Sequence, residues 1–418
     1  MKRLVLITDA FPWGRGEISF ILPELSYLMK EYRVTVLSRS PMRLCKEGMD
    51  KVDLHEAIEL LHYPELEDIP KMIKWGCLIP ALLAKDFREE MYAIIKSKQG
   101  IHNLKQMYFF WIRANKLRKW MREQGLFNNL ENTIFYSYWA NYSVYSLAME
   151  KRDNPTLRFV SRIHRYDLYN EYFPGGRQPF KRMVDAWIDK MVFIAREGLD
   201  YYIKNYTDNK EDCDKYVLCK LGVEEQARKP EKKESAFLRL VSCSAVNERK
   251  RVGLIVRALA ELDEKVEWHH FGEGPEYDKT KSLADSLLGM KDNIQYEFHG
   301  FTPNEEIIKY YQKNYVDCFI TTSANEGCPV SIQEAMSFGI PIIGTDVGEI
   351  RYMIDGNGVL LTADPTVQEV TATVSKVREM LEHSEEKMRE RSLELWKRDY
   401  DIENNAKHFI EVLESCGR

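Results

Sequence analysis

The feature that most limits what this chain can become is an alternation of short apolar strands with helical segments that runs once, stops, and runs again. In the first half, Leu4–Thr8, Arg33–Ser38, Phe135–Trp139, Leu157–Ile163 and Lys190–Ile194 read as strands. Ser19–Lys30 has helical spacing, with Ile21, Leu25 and Leu28 on one side. The stretch Gly222–Glu234 is polar and charged and reads as a linker. The alternation then restarts with strands at Phe237–Ser242, Val266–Phe271, Ile294–Phe298, Val316–Thr321 and Pro341–Thr345. Helical segments at Gly253–Leu262, Tyr277–Leu288, Asn304–Lys313 and Val330–Ser337 separate them. Strands alternating with helices make parallel sheets covered on both faces. The expected class is α/β, with two doubly wound Rossmann-like domains facing a central cleft at the carboxyl ends of their strands. A chain of 418 residues is too long for one ordinary core and fits two domains. The expected bounds are 1–221 and 222–395, with 396–418 closing the chain as a helix.

Charge separates the halves. Residues 1–220 carry 35 Lys/Arg against 29 Asp/Glu, and residues 221–418 carry 25 against 36. The net of −5 excludes a polycation built to coat nucleic acid. No apolar run approaches the roughly 20 residues needed to span a bilayer. The longest, Met72–Ala84, contains Lys74, Gly76 and Pro80. The N-terminal apolar run meets Asp9 almost at once and reads as a first strand rather than a signal peptide. The eight cysteines are scattered without a Cys-x-x-Cys pair, which fits a reducing compartment. The expected location is the cytoplasm, with a peripheral position on the inner face of the cell membrane left open.

The chemistry concentrates in Thr321–Asp346. A buried strand ends near Thr322, a loop carries Glu326 and Gly327, Pro329 suits the first turn of a helix, and Gly339 stops that helix before the next strand. The N–H groups of Cys328, Val330 and Ser331 open the helix, and the helix dipole adds partial positive charge, so this is a place for a phosphate or pyrophosphate. Pro329 cannot donate. Glu326 lies just ahead of the anion site and Glu334 just behind its first turn. Two carboxylates do not bind phosphate, but they accept hydrogen bonds from hydroxyls on either side of it. A nucleotide sugar has that layout.

These residues resemble a known family. Glu326–Glu334 matches the Glu-x7-Glu motif of retaining glycosyltransferases of the GT-B fold, family 4. Ser242–Ala258, with Lys250 in it, is similar to the family's strand–loop–Lys–helix segment. Gly272-Glu-Gly-Pro275 resembles its Gly-x-Gly-Pro turn, and His299-Gly300-Phe301 the loop beside the nucleotide base. Arg162–Asp167 resembles the N-domain segment that carries a His, and Trp396–Leu413 the helices that cross back to the first domain. The resemblance implies that Glu326 holds hydroxyls of the donor sugar, Glu334 the ribose, and Lys250 the departing diphosphate. It further implies that His164 faces the sugar and that the Gly14-Arg15-Gly16 loop approaches donor phosphates or acceptor. Two departures stand out. The family's Arg five residues before the Lys is Ala245 here, with Arg249 or Arg251 as substitutes, and the Gly after the His is Arg165, which would narrow the sugar pocket.

Other features have plainer readings. Cys328 reads as a small wall residue, not a nucleophile. His269 and His270 end a strand and read as structural, since no carboxylate or thiol spacing makes a metal site. No metal or cofactor is expected beyond the nucleotide-sugar co-substrate. Lys96–Arg122 holds eight basic residues, no acidic one, and five aromatic rings. It reads either as a membrane-surface helix, suited to a lipid-linked hydroxyl acceptor, or as a core helix with a solvated basic face. Three functional readings stay open at this point: a retaining hexosyltransferase of surface-polysaccharide or lipid-linked glycan synthesis, a catalytically silent subunit of the same fold, and a sugar-nucleotide epimerase.

Overall fold

Each run of alternating strands closes into its own parallel sheet. The computed structural model describes all residues except 14, 40–50, 65, 67–69, 98–99, 208–213, 227–229, 233–234 and 418. Two units result, Met1–Cys219 with Ala406–Arg418, and Lys220–Asn405. The sequence-based boundary at 221/222 falls within a few residues of the observed one. The boundary at 395/396 falls inside the helix Val367–Asp399, and the chain leaves the second unit only after Asn405.

In the first unit, β1 (Lys2–Ile7), β2 (Tyr32–Arg39), β3 (Glu59–Tyr63), β4 (Thr133–Ser137), β5 (Arg158–Ile163), β6 (Lys190–Phe193) and β7 (Tyr216–Leu218) pair in the order β3-β2-β1-β4-β5-β6-β7. All these pairs are parallel. Successive residues serve opposite faces. Val5, Ile7, Leu37, Phe135 and Phe159 enter one core, and Leu4, Leu6, Val34, Val36 and Val160 the other. This double burial is why β1 reads as a continuous apolar run rather than an alternating one. The second core is completed by the last helix, Ile402–Glu414, through Phe409, Val412 and Leu413.

That core also holds a charge pair. Arg162 on β5 is fully buried, with one guanidinium nitrogen 2.7 Å from Glu24 Oε2. Its guanidinium carbon lies 4.7 Å from the centre of the Phe409 ring. Burial alone favours the neutral guanidine, but the Glu24 carboxylate outweighs it and holds Arg162 protonated.

In the second unit, β8 (Leu238–Cys243), β9 (Val266–Phe271), β10 (Ile294–Gly300), β11 (Cys318–Ile320), β12 (Ile342–Thr345) and β13 (Gly358–Leu361) pair in the order β10-β9-β8-β11-β12-β13. These too are all parallel. In both sheets the strand order reverses once, between β1 and β4 and between β8 and β11. Ligands of such sheets bind outside the carboxyl ends of the strands at that reversal.

Of its two readings, the basic, aromatic segment takes that of a core helix. Its helix, Ile101–Glu123, buries Met107, Phe110, Trp111, Leu117 and Met121 in the first unit's core. Arg118 and Arg122 pair with the buried carboxylate of Glu150 at 2.7 Å each. The aromatic face that a membrane helix would offer to lipid is therefore inside the unit. Among the described residues, no helix is long and apolar enough to cross a membrane.

Removing Glu24 leaves Arg162 buried without its counter-charge. Glu24→Ala is expected to lower the stability of the first unit by about 3–5 kcal/mol. Glu24→Gln, which also lacks the charge, is expected to fall in the same direction by less. Thermal denaturation followed by circular dichroism checks both, and an unchanged melting curve for Glu24→Ala would refute the assignment.

Candidate functional site

In the second unit, β8 and β11 are hydrogen-bonded neighbours, so the loops after them leave the sheet side by side. Hydrogen bonds to backbone carbonyls join these loops. Ala324 N–H donates to the Arg249 carbonyl at 2.7 Å, and Thr322 Oγ1 donates to the Arg251 carbonyl at 3.0 Å. Lys250 then reaches across and forms an ion pair with the Glu326 carboxylate, and both side chains are largely shielded from solvent. Asn247 Oδ1 accepts the Lys250 N–H at 3.1 Å and holds the turn that presents it.

The loop carrying Glu326 is backed by the one after β12. At Gly348 φ is +52°, and a Cβ there would stand 1.8 Å from the Glu326 carbonyl oxygen. Only glycine fits this approach. Glu349 N–H donates to the Gly327 carbonyl at 3.1 Å. The Glu349 carboxylate is buried against Lys220 Nζ at 2.6 Å and accepts from the Tyr400 hydroxyl at 3.1 Å.

The helix Val330–Ser337 begins where expected, but Pro329 stands one residue ahead of it as the N-cap, with φ −71° and ψ 113°. Val330 and Ser331 occupy the first turn, where backbone N–H groups have no acceptor within the helix. A helix start of this kind favours an anion, and Gly327 and Cys328 flank it. Cys328 is buried, accepts from Gln333 Nε2 at 3.0 Å, and burial pushes its thiol far up, so it is a wall residue without nucleophilic character. Glu334, one turn on, is buried, and Asn304 Nδ2 donates to its Oε1 at 2.5 Å. Burial drives the Glu334 carboxyl up from 4.5 to about 7, against the lowering effect of Asn304.

Neighbouring loops complete the rim. Gly272 has φ +137°, and a Cβ there would lie 1.9 Å from the Ser244 carbonyl oxygen, so this glycine lets the loop after β9 sit on the loop after β8. Gly272 N–H donates to the Gly300 carbonyl at 2.8 Å, and Phe301 beside it is exposed. Ala245 is exposed and carries no charge. Arg251 does not replace the missing cation. Its guanidinium donates to the Thr322 and Ser323 carbonyls at 2.6 and 3.1 Å and pairs with Asp364, bracing the loop instead. Arg249 places its backbone against that same loop. His270 keeps its structural reading, with Nδ1 2.8 Å from Ser242 Oγ.

In the first unit, Gly14 lies outside the described residues, and Gly16 is in the first turn of the helix Arg15–Glu31. The group that organises this loop is Glu17. Its carboxylate accepts the Asp9, Ala10 and Phe11 N–H groups at 3.0, 2.6 and 2.5 Å and the Trp139 indole N–H. His164 follows β5. Its ring lies 4.7 Å from those of Tyr138 and Trp139, and Nε2 is buried with no hydrogen-bond partner. Burial, with Arg162 adding to it, lowers its pKa to about 3, so the imidazole is neutral. Asp167 accepts the His164 and Ala140 N–H groups at 2.6 and 2.5 Å. The Arg165 guanidinium lies over the Tyr172 ring and bonds the Tyr172 hydroxyl.

Sequence reasoning brought together Lys250, Glu326 and the helix start. It missed Glu17, Asn304, Glu349 and the bracing role of Arg251. Asn304 carried a signal in the Pro-Asn pair that opens its helix; the other three depend on tertiary contacts.

Residues 222–394 match the model of the family described as glycosyl transferases group 1. A putative colanic acid biosynthesis glycosyltransferase of Escherichia coli, WcaL, is 22% identical over 53% of this chain and 58% of its own length. A putative teichuronic acid biosynthesis glycosyltransferase of Bacillus subtilis, TuaC, is 22% identical over 90% of this chain and 88% of its own. The crystal structure of Anabaena HepE in complex with UDP superposes with a TM-score of 0.66 at 13% identity, covering 99% of this chain and all of that one. The shared fold is the GT-B class of two Rossmann-like domains expected from the sequence.

The raised Glu334 pKa has a sign that can be checked. Between its unfolded value of 4.5 and its folded value of about 7, the folded chain holds the extra proton, so stability falls as pH rises through that window. Glu334→Gln, which never ionises, is expected to stabilise the second unit by up to about 3 kcal/mol above pH 8. Below about pH 4.5 the difference should vanish. Urea denaturation of both proteins across this range measures it, and a Gln variant less stable at pH 8 would contradict the buried, costly carboxylate.

Proposed function

We propose that this chain, whose residues 222–394 form a glycosyl transferases group 1 domain, is a retaining glycosyltransferase of the family 4 type. It moves a hexose-type sugar from a nucleotide diphosphate sugar to a hydroxyl acceptor. The observation that carries the reading is the Lys250–Glu326 ion pair at the opening of the helix Val330–Ser337, at the strand-order reversal of the second sheet.

Each group has a task in that reaction. The diphosphate lies against the N–H groups of the helix start and the Lys250 ammonium, which stabilise the charge that grows as the anomeric C–O bond breaks. Glu326 accepts hydrogen bonds from sugar hydroxyls, and the lysine beside it fixes it in place. Glu334 accepts from the ribose hydroxyls, with Asn304 orienting one of its oxygens. His164, neutral and with Nε2 unpartnered, is suited to a sugar hydroxyl. The acceptor oxygen forms the new bond on the face the diphosphate leaves, and its proton passes to the departing phosphate. Catalysis is then positioning plus charge stabilisation, and this step calls on no metal.

The relatives named for colanic acid and teichuronic acid biosynthesis support a polysaccharide or lipid-linked glycan acceptor. A lipid-linked acceptor asks for a membrane surface, and a run of exposed apolar residues lies ahead of the basic helix. Met72, Trp75, Ile79 and Leu83 are 84, 76, 69 and 72% exposed on the helices Lys71–Gly76 and Leu78–Leu83. Lys85 and Arg88 follow on the next helix and are exposed. Aromatic and aliphatic side chains flanked by cations suit an anionic bilayer surface.

Two experiments test this. With nucleotide sugars offered one at a time, the purified chain should release nucleotide diphosphate only with acceptor present. Glu326→Ala and Lys250→Ala should each reduce turnover at least about 100-fold. Proton NMR of the product should show the donor's anomeric configuration. Conversion of the donor to an epimeric nucleotide sugar without acceptor would favour an epimerase, no release with any donor a silent subunit, and an inverted linkage would end the retaining reading. Separately, anionic vesicles should co-sediment the chain, and the combined change Trp75→Glu, Ile79→Glu, Leu83→Glu should abolish that, while Lys116→Glu should not. Sedimentation indifferent to the triple change would refute the surface assignment.

A further inference from the structure

His269 and His270 are adjacent in sequence and part company in the sheet. The register of β9 on β10 sets His269 opposite Glu297, and His299 follows Glu297 on the same strand by two residues. The register is irregular between Phe298 and Gly300, yet the His299 ring lies beside His269, so His269, Glu297 and His299 gather on one side while Trp268, His270 and Phe298 pack together on the other. No spacing along the chain shows this. We infer that this face of β9 and β10 is a binding site for a divalent transition metal, with His269, His299 and Glu297 as ligands and Zn2+ as the ion the donors suit.

The donor set is right in kind and in place. One ligand atom from each of the three residues lies within 4.8 Å of the others. His269 Nδ1 faces His299 Nε2 at 2.9 Å and Glu297 Oε2 at 3.6 Å. Two imidazole nitrogens this close share one proton between them, and a metal ion takes the place of that proton. With Zn–N bonds of about 2.0–2.1 Å, a tetrahedral ion needs the nitrogens about 3.3 Å apart, so a small outward shift suffices. Imidazole and carboxylate donors suit zinc better than magnesium or calcium, which prefer all-oxygen shells.

An independent feature fixes which nitrogen is offered. His269 Nε2 donates to Glu267 Oε1 at 3.1 Å, which leaves the lone pair on Nδ1, the nitrogen that faces the other donors. Glu267 is itself held by Arg239 Nε at 3.3 Å. A carboxylate behind a ligating histidine orients the ring and raises its basicity. Packing fixes the second ring. Phe271 stacks on His299 with centroids 4.2 Å apart and planes 7° apart, and Tyr310 flanks both imidazoles. Glu297 is mostly exposed, which gives the ion a route in and leaves a coordination position for water.

None of its ligands is given a task in the transfer chemistry proposed above, and metal binding does not depend on that reading. Its place suggests its effect. His299 precedes Gly300, whose carbonyl accepts the Gly272 N–H, so an ion joining β9 to β10 fastens the two strand ends from which the 272–275 and 300–301 loops depart.

The test is metal binding by the full chain, stripped with a chelator and titrated with Zn2+ by calorimetry and with Co2+ by visible absorbance. One equivalent should bind at micromolar concentration or tighter, and Co2+ should show the intense d–d bands of a four-coordinate ion. His269→Ala and His299→Ala should each weaken binding at least about tenfold. Glu297→Ala, at an exposed position that leaves the fold alone, should do the same. Glu267→Gln, which keeps all three ligands, should weaken it by about tenfold. The inference is overturned if the folded chain takes up less than one equivalent. It is equally overturned if binding persists unchanged in Glu297→Ala and the histidine variants, or is removed by thiol alkylation instead.

Discussion

The second unit's chemistry depends on two parallel strands of opposite topological direction ending next to each other. β8 begins one wing of the sheet and β11 the other, and they are hydrogen-bonded partners. Their loops therefore leave a common edge side by side, and Lys250 and Glu326 meet across the gap between them. Such a gap can host a polyanion, because the helix that follows β11 points its N-terminus into it. Lys250 and Glu326 come one from each loop, so their ion pair exists only while the two strands are in register. The same adjacency explains the glycines. Gly272 and Gly348 are places where a third or fourth loop presses onto these two closely enough to exclude a Cβ.

Buried carboxylates recur wherever a loop must be held rigid. Glu17 gathers three N–H groups and an indole at the end of β1, Asp167 gathers two at the ends of β4 and β5, and Glu349 anchors the loop after β12 to Lys220 and Tyr400. Loop N–H groups that lack a partner within an element are satisfied internally, at low dielectric, where a charged acceptor counts for more than in water. The contrast with Glu326 is instructive. Its partner is a side chain, not a set of backbone groups, so it can exchange that partner for a ligand without unmaking a loop.

Much of the fold was legible because its signals are local. The strand Val266–Phe271 and the helices Tyr277–Leu288, Asn304–Lys313 and Val330–Ser337 were read to the residue, each from apolar periodicity with a clear stop. β3, β7 and β13 were not read. They are short outer strands, β7 and β13 with half-buried or exposed residues, and their pairing is decided by the sheet they join. The basic segment left two readings open because sequence shows that aromatic rings share a helix but not whether a neighbouring element covers them. Glu150 and Asp153, which neutralise Arg118 and Arg122, lie about thirty residues downstream. The anion site was legible because loop and helix are contiguous in sequence, whereas Glu17, Glu349 and the His269–Glu297–His299 face depend on register and on loops far apart along the chain.

The route of the last helix has a consequence for biosynthesis. Ile402–Asn405 belong to the second unit and Ala406 onward to the first, where Phe409, Val412 and Leu413 complete the core beneath β1 and β4. On the ribosome, the first unit emerges long before the residues that finish it, and the second unit is translated in between. The first unit must therefore wait, with an apolar groove along its sheet and Arg162 without one of its aromatic covers, until residue 413 has left the exit tunnel. Topologically the second unit is an insertion, able to fold on a continuous stretch of chain while its host is still open. An intermediate with residue 405 outside the tunnel and residue 409 still inside it would display a finished second unit and an unfinished first one. That intermediate is the species a chaperone would meet.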